Sequence, residues 1–276
     1  MPTQKVTWFI TSLLCFYFLS IPPDCGFAEE ISELAKQVQN PLSDLVRVGF
    51  LNNTSLGAGP NDFTFNTFNI QADTTKRFGD WVLLNRLLVP LVYIPASGIT
   101  QETGSSFGLG DIEYTGFLAR DESKRFFRFM AGIGPTIQFN SATEDRLGSG
   151  KWSAGPTLGL AGVPDPWVFG VILRQMWSFA GDSERPRVNI FLLQPFINYN
   201  FADGWYATSI PPIVANWDST SRNRWTVPIG GGFGKVVFRG EKRPINLQIQ
   251  GFYFVEKPDL GPDWAVRLQM QVLFPQ

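Results

Sequence analysis

The chain has 276 residues, a formal net charge of −1 and 17% charged residues, so nothing in its charge indicates a nucleic-acid partner or an acidic tail. It contains no histidine, and therefore lacks the commonest metal ligand and the usual general base of hydrolases. Aromatic residues make up 14% of the chain, yet its mean hydropathy is close to zero. Strands with one apolar and one polar face produce this combination, as in membrane barrels.

The N-terminal 28 residues have the features of a secretory signal peptide. Lys5 gives a positive start, residues 8–21 are mostly apolar, and Gly26 and Ala28 are small residues suited to a cleavage site. The apolar run is shorter than the roughly 20 residues that a membrane helix needs. We therefore expect cleavage after Ala28, which would remove both cysteines, Cys15 and Cys25, and leave an exported chain without disulfides.

Residues 29–44 are predicted to form a short amphipathic helix and a linker. Ile31, Leu34, Ala35 and Val38 recur at helical spacing, and Asn40-Pro41 ends the pattern. An apolar stripe of this kind needs an apolar surface to cover. If the rest of the chain forms a barrel, the inner rim of its periplasmic mouth is the nearest such surface, and the membrane surface is the alternative.

From residue 45 onward the pattern indicates only strands, separated by turns rich in Gly, Pro, Asn and Asp. About twelve strands are predicted, an even number as expected of single-chain bacterial barrels. They are Leu45–Thr54, Asp62–Thr74, Trp81–Ile94, Ser106–Ala119, Phe126–Phe139, Ser149–Ala161, Trp167–Phe179, Arg187–Asn200, Trp205–Asn216, Arg224–Phe238, Arg243–Val255 and Asp263–Phe274.

The last predicted strand shows the alternation most clearly. Every even position from Trp264 to Phe274 is large and apolar, whereas Arg267, Gln269 and Gln271 lie on the opposite face. About ten residues of strict alternation bounded by aromatics match one strand of an outer-membrane barrel. An aromatic residue near the C-terminus is also typical of the strand that the barrel-assembly machinery recognises.

Tryptophans give a second signal, because each one retained after cleavage falls near a strand end on the face predicted to point outward. Indole rings prefer the interface between membrane and water. The predicted aromatic girdle is Trp81, Trp152, Trp167, Trp177, Trp205, Trp217, Trp225 and Trp264. We therefore predict an all-β protein, a transmembrane antiparallel up-and-down β-barrel over residues 45–276, in the outer membrane of a Gram-negative-type bacterium. A secreted soluble β-sandwich is the alternative fold.

Six charged residues are predicted to face the lumen: Arg86, Asp111, Glu113, Arg128, Arg174 and Arg267. Arg86, Glu113 and Arg128 lie on three consecutive predicted strands, so opposite charges are expected to pair across them. One interpretation is a polar constriction that selects solutes. The other is a salt-bridge network that fills a narrow barrel.

No catalytic, metal or cofactor site is predicted. Asp111 and Glu113 are spaced as a carboxylate pair, but catalysis needs one protonated partner and the nearby arginines would keep both ionised. Phe107 to Asp111 resembles a fragment of a phosphate loop without its Gly-Lys-Ser/Thr and without a following helix. The absence of histidine excludes the Ser-His-Asn phospholipases and omptin-like proteases of the outer membrane.

Three stretches resemble the meta-pathway phenol-degradation family of outer-membrane proteins, a transporter-like group whose members are sometimes misnamed neuromedin U. They comprise residues 39–45 with 50–53, residues 107–112, and residues 193–199 with 215–217, 225–232 and 262–264. The resemblance implies a barrel linked to uptake of aromatic or other small organic compounds, and it supplies no catalytic motif.

The sequence leaves two functions open for a barrel. One is a channel or transporter for small, aromatic or hydrophobic compounds, and the other is a closed barrel with a structural or interaction role. A soluble binding protein would go with the β-sandwich alternative. The expected partners of the barrel are outer-membrane lipid, the barrel-assembly machinery and small organic solutes, with no nucleic acid.

Overall fold

A computed structural model of the chain describes residues 34–39, 45–96, 104–121, 129–239 and 243–275. Within these ranges residues 34–39 are helical, and most of the rest belongs to fourteen strands of one antiparallel sheet. The strands are β1 (Leu45–Ala58), β2 (Phe63–Phe78), β3 (Trp81–Ile94), β4 (Ser106–Leu109), β5 (Glu113–Asp121), β6 (Phe129–Gln138), β7 (Lys151–Gly162), β8 (Trp167–Gly181), β9 (Asn189–Asn200), β10 (Trp205–Ser209), β11 (Ile213–Asn216), β12 (Trp225–Arg239), β13 (Arg243–Glu256) and β14 (Trp264–Pro275).

The sheet closes on itself, because the first strand, β1, pairs with the last, β14, and every strand between them except the short β4 pairs on both sides. Strands β4 and β5 both pair with β3, and β10 and β11 both lie between β9 and β12. Two of the twelve strand positions are thus interrupted, at residues 110–112 and 210–212. This confirms the predicted twelve-stranded barrel, and the single closed sheet contradicts the sandwich alternative. Over the described ranges, no helix is long and apolar enough to cross a membrane.

Most apolar side chains lie outside the barrel and most polar ones inside, with the period of two that strands impose. On β6 and β7, Ile133 and Leu160 are each 57% exposed, whereas Thr136 is completely buried. On β13 and β14, Leu268 is 49% exposed and Gln250 only 1%. This inverts the arrangement of a water-soluble domain. It gives an apolar band around a polar interior, the pattern of membrane-spanning barrels.

The two ends of the barrel differ. At the end where β1 begins, here called the terminal mouth, the described connections are short: residues 79–80, 163–166 and 201–204. At the opposite end, the far mouth, they run longer, as at residues 139–150, 182–188, 217–224 and 257–263. The helix at residues 34–39 lies within the terminal mouth. Its apolar stripe belongs to a buried cluster of Leu34, Ala35, Val38, Leu45, Val236 and Leu273.

Candidate functional site

Two adjacent cavities occupy the lumen. The larger has a volume of about 420 Å³, and the smaller, of about 170 Å³, reaches Val38 and Gln39 of the helix in the terminal mouth. Seven residues line both cavities and are called the constriction here: Leu51, Gln71, Arg86, Ile172, Gln194, Phe196 and Arg267. Any solute crossing the barrel through these cavities has to pass them.

A row of charges crosses three neighbouring strands beside the constriction. Arg47, Asp73 and Arg86 are direct register partners on β1, β2 and β3. Arg86 donates to both carboxylate oxygens of Asp73, over 2.9 and 3.0 Å, and Arg47 Nη1 lies 3.9 Å from Asp73 Oδ2. The expected pairing of Arg86 with Glu113 is wrong, because Glu113 is in register with Leu88 and the Asp73 carboxylate already binds Arg86.

Glu113 pairs instead with Arg174, which lies three strand positions away on β8. Small side chains between them make this reach possible. Thr115, Thr136 and Thr157 form a hydroxyl ladder over β5, β6 and β7, with oxygen–oxygen distances of 2.8 and 2.6 Å. Because threonines occupy little of the lumen, the long arginine crosses above them. The ion pair therefore lies within the larger cavity and narrows it.

Asp111 has a different place from the other sequence-predicted charges. It lies in the interruption between β4 and β5 and lines neither cavity. Its carboxylate accepts hydrogen bonds from the backbone N–H groups of Ser141, Ala142 and Ser149, from the Ser149 hydroxyl and from Gln138 Nε2, over 2.7–3.3 Å. Asp111 thus holds the long connection between β6 and β7 at the far mouth.

Arg267 reaches the lumen from β14 and makes only neutral contacts. Its Nε donates to Asn53 Oδ1 at 2.8 Å and its Nη1 to the Ile210 carbonyl at 3.3 Å, and its guanidinium carbon lies 5.4 Å from the Phe252 ring centre. No carboxylate of the described ranges pairs with it. The last sequence-predicted charge, Arg128, lies outside the described residues.

One wall of the lumen is rich in amides and packs tightly. The Tyr206 hydroxyl donates to Asn246 Oδ1 at 2.7 Å, and Asn246 Nδ2 donates to Gln271 at 2.9 Å. This requires the tyrosine ring to lie flat on β12, where a Cβ at Gly234 would meet the ring at 2.1 Å. Glycine is therefore the only residue that fits at this position. The wall is polar on the side of β10 and β12–β14.

The opposite wall, formed by β3 and β5–β9, carries an apolar cluster beside its charged and hydroxyl side chains. Phe117 lies over Gly132 and Gly159, where an added Cβ would meet its ring at 2.5 and 2.8 Å. It belongs to a buried cluster with Phe196, against which Ile210 packs from the interruption between β10 and β11. The lumen thus has an apolar cluster next to the ion pairs and hydroxyls of one wall, opposite a wall of amides.

The helix is attached to both sides of the terminal mouth. Gln39 and Asn200 exchange amide hydrogen bonds of 2.7 and 3.2 Å at the end of β9. On the other side, Arg47 of β1 donates to the Gln37 carbonyl at 3.3 Å. Combined with the apolar cluster beneath it, this attachment places the helix across the mouth, next to the smaller cavity.

All eight tryptophans predicted as a girdle lie at or near strand ends, and seven of them are 36–54% exposed. Trp225 is half-buried against Trp217, with ring centres 5.7 Å apart. Trp167 and Trp177 lie on the outer face of β8, ten residues apart. At about 3.4 Å per residue and a tilt of about 40°, this is a height of roughly 26 Å. An outer-membrane apolar band is about 25 Å tall.

Charge in the lumen is unbalanced. Four arginines and two carboxylates line the two cavities, a net charge of +2; they are Arg47, Arg86, Arg174, Arg267, Asp73 and Glu113. Sequence analysis missed Arg47 and Asp73, although both lie within predicted strands. Asp73 shares the inward phase of Gln71 on β2, so the alternation could have revealed it.

No protein-family model matches the chain, and no curated protein matches it. Among solved structures, it is similar to an outer-membrane channel from Pseudomonas putida F1, with a TM-score of 0.64 and 17% identity over 83% of this chain and 94% of that one. It is also similar to the NanC porin, with a TM-score of 0.50 and 10% identity over 84% of this chain and 100% of that one. These likenesses show that the chain has the fold of outer-membrane channels. Membership of the phenol-degradation family stays a prediction.

Proposed function

We propose that the chain is an outer-membrane channel or transporter that carries small organic compounds through the barrel lumen, without enzymatic activity. The observation that carries this proposal is a closed barrel with an apolar outer face and an interior of charges and amides around two cavities. The shared fold of an outer-membrane channel and a porin supports it.

Membrane placement follows from the outer surface. The exposed apolar side chains contact lipid, and the two bands of tryptophan mark the two interfaces. The terminal mouth, with its short turns, faces the periplasm, and the longer loops of the far mouth face outward. Export depends on the predicted signal peptide, which lies outside the described residues. Insertion depends on the barrel-assembly machinery, which recognises β14.

At rest, the helix at residues 34–39 narrows the terminal mouth. Passage of larger solutes therefore requires the helix to tilt or leave, while its contacts with Arg47 and Asn200 break. The net charge of +2 in the lumen favours anions, and the apolar cluster of Phe117 and Phe196 favours solutes with a hydrocarbon part. Aromatic compounds, which the family resemblance implies as solutes, have such a hydrocarbon part.

A closed barrel with a structural or interaction role is the second candidate. One observation favours it: the helix and the apolar cluster of Phe117 and Phe196 fill much of the lumen near the terminal mouth. Conductance of the refolded mature protein in a planar bilayer separates the two. Discrete current steps that carry chloride better than potassium support the channel. A folded, inserted barrel without steps supports the closed barrel.

A further inference from the structure

Arg267 differs from the other three arginines of the lumen. Each of those forms an ion pair with Asp73 or Glu113. Within the described part of the chain, Arg267 contacts only the Asn53 amide oxygen, the Ile210 carbonyl and an aromatic ring, and none of these carries a charge. A half-buried cation without a counter-charge is unfavourable unless a ligand provides one.

The guanidinium group of Arg267 has capacity left for such a ligand. Its Nε and Nη1 each donate one hydrogen bond, and Nη2 donates none within the described ranges. Arg267 lines both cavities, so its remaining N–H groups border the space through which a solute passes. The planar fork of a guanidinium matches a carboxylate better than any other common anion except phosphate.

An apolar surface adjoins this cation. The carbonyl that Arg267 contacts belongs to Ile210, and the Ile210 side chain packs against the cluster that contains Phe196. Leu51, Ile172 and Phe196 line the constriction together with Arg267. The larger cavity, at about 420 Å³, falls within the size range of small-molecule sites. An inorganic anion would leave this apolar surface uncovered.

We propose that the constriction binds small organic carboxylates with an apolar body, the carboxylate on Arg267 and the body against Phe196 and Ile172. This rests on the proposed channel function and names the class of solute. The binding site explains why one arginine of four lacks a carboxylate partner, and why that arginine contacts Ile210, which packs against the apolar cluster.

The proposal is tested by measuring how strongly four probes block the chloride current of the refolded mature protein in a planar bilayer. Benzoate carries both features, acetate only the charge, benzyl alcohol only the ring, and benzylammonium the opposite charge. Benzoate should block at a concentration at least about tenfold below that of acetate, and the other two should not block. Lengthening an aliphatic carboxylate should strengthen block by up to about fourfold per methylene.

Arg267→Gln should raise the blocking concentration of benzoate at least about tenfold. Arg267→Lys, which keeps the charge but loses the fork and preserves the fold more conservatively, should give an intermediate value. Arg222→Gln removes the same charge from a loop of the far mouth, where the side chain is 82% exposed, and should leave block unchanged.

Two failures are distinguishable. A well-folded wild-type protein that conducts no ions refutes the channel itself. A channel that conducts, but that benzoate blocks equally well with arginine, lysine or glutamine at position 267, refutes only the carboxylate site. Equal block by all four probes also refutes it, because neither charge nor ring would then matter.

Discussion

Val38→Asp should release the helix from the terminal mouth. Val38 is 8% exposed and packs in the cluster that includes Leu45, Val236 and Leu273. Burial of three apolar side chains holds the helix with about 5 kcal/mol in total, at about 2 kcal/mol for each large one. An aspartate at this position removes the contribution of the Val38 side chain and adds a cost of several kcal/mol for burying a charge. The docked state is then no longer favoured.

The expected gain in conductance follows from barrel size. Twelve strands about 4.8 Å apart and tilted by about 40° make a barrel with a backbone diameter of roughly 24 Å. Inward side chains of about 5 Å on each side leave a passage of about 14 Å. A helix about 10–12 Å across fills most of this passage. Its release should therefore raise single-channel conductance about threefold.

Planar-bilayer recording of the refolded variant measures this gain. Gln37→Asp is the matched control, because it adds the same charge to the same helix at an exposed position. The control should conduct like the wild type, and both variants should show the same heat-modifiable migration on gels. Unchanged conductance of a folded Val38→Asp barrel would refute the idea that the helix narrows the mouth.

Three further results are expected. Leu268→Arg should impair assembly by roughly 2–4 kcal/mol near the bilayer midplane, whereas Gln269→Arg on the lumen face should be far milder, so equal loss of heat-modifiable protein would contradict the strand phase. Asp73→Asn should lower the free energy of unfolding in urea by about 3–5 kcal/mol, because the buried Arg47 and the half-buried Arg86 lose their shared carboxylate, and a variant as stable as the wild type would refute this. N-terminal sequencing of the mature protein should begin after Ala28, and a start at Met1 would exclude the signal peptide.

Alternation along the chain was enough to predict the barrel, its strand count and its two faces. It did not show the interruptions at residues 110–112 and 210–212. Pro211 and Pro212 lack the backbone N–H of a strand ladder and are a sequence signal for the second interruption. No comparable pair marks the first, where Gly110 still donates to the Pro90 carbonyl. Alternation alone reports which face a side chain takes, and it does not report where a strand leaves the sheet.

Pairing of the lumen charges depends on register, which the sequence does not encode locally. Arg86 and Glu113 lie on neighbouring strand positions as predicted, but a two-residue offset places Thr115 opposite Arg86. The Glu113 carboxylate binds Arg174, three strand positions away, because the threonines between them are small enough to leave room for the arginine side chain. Such a contact needs the curvature of the closed barrel, and no reading of adjacent strands could have predicted it.

Cysteine labelling during single-channel recording tests the central claim, that solutes pass through the lumen of this barrel, most directly. The mature chain would contain no native cysteine, so Gln269→Cys on the lumen face and Leu268→Cys on the outer face can be labelled singly with a negatively charged thiol reagent. The account predicts a stepwise fall in current for Gln269→Cys and none for Leu268→Cys. Equal responses from the two variants, or no current from the folded protein, would contradict it.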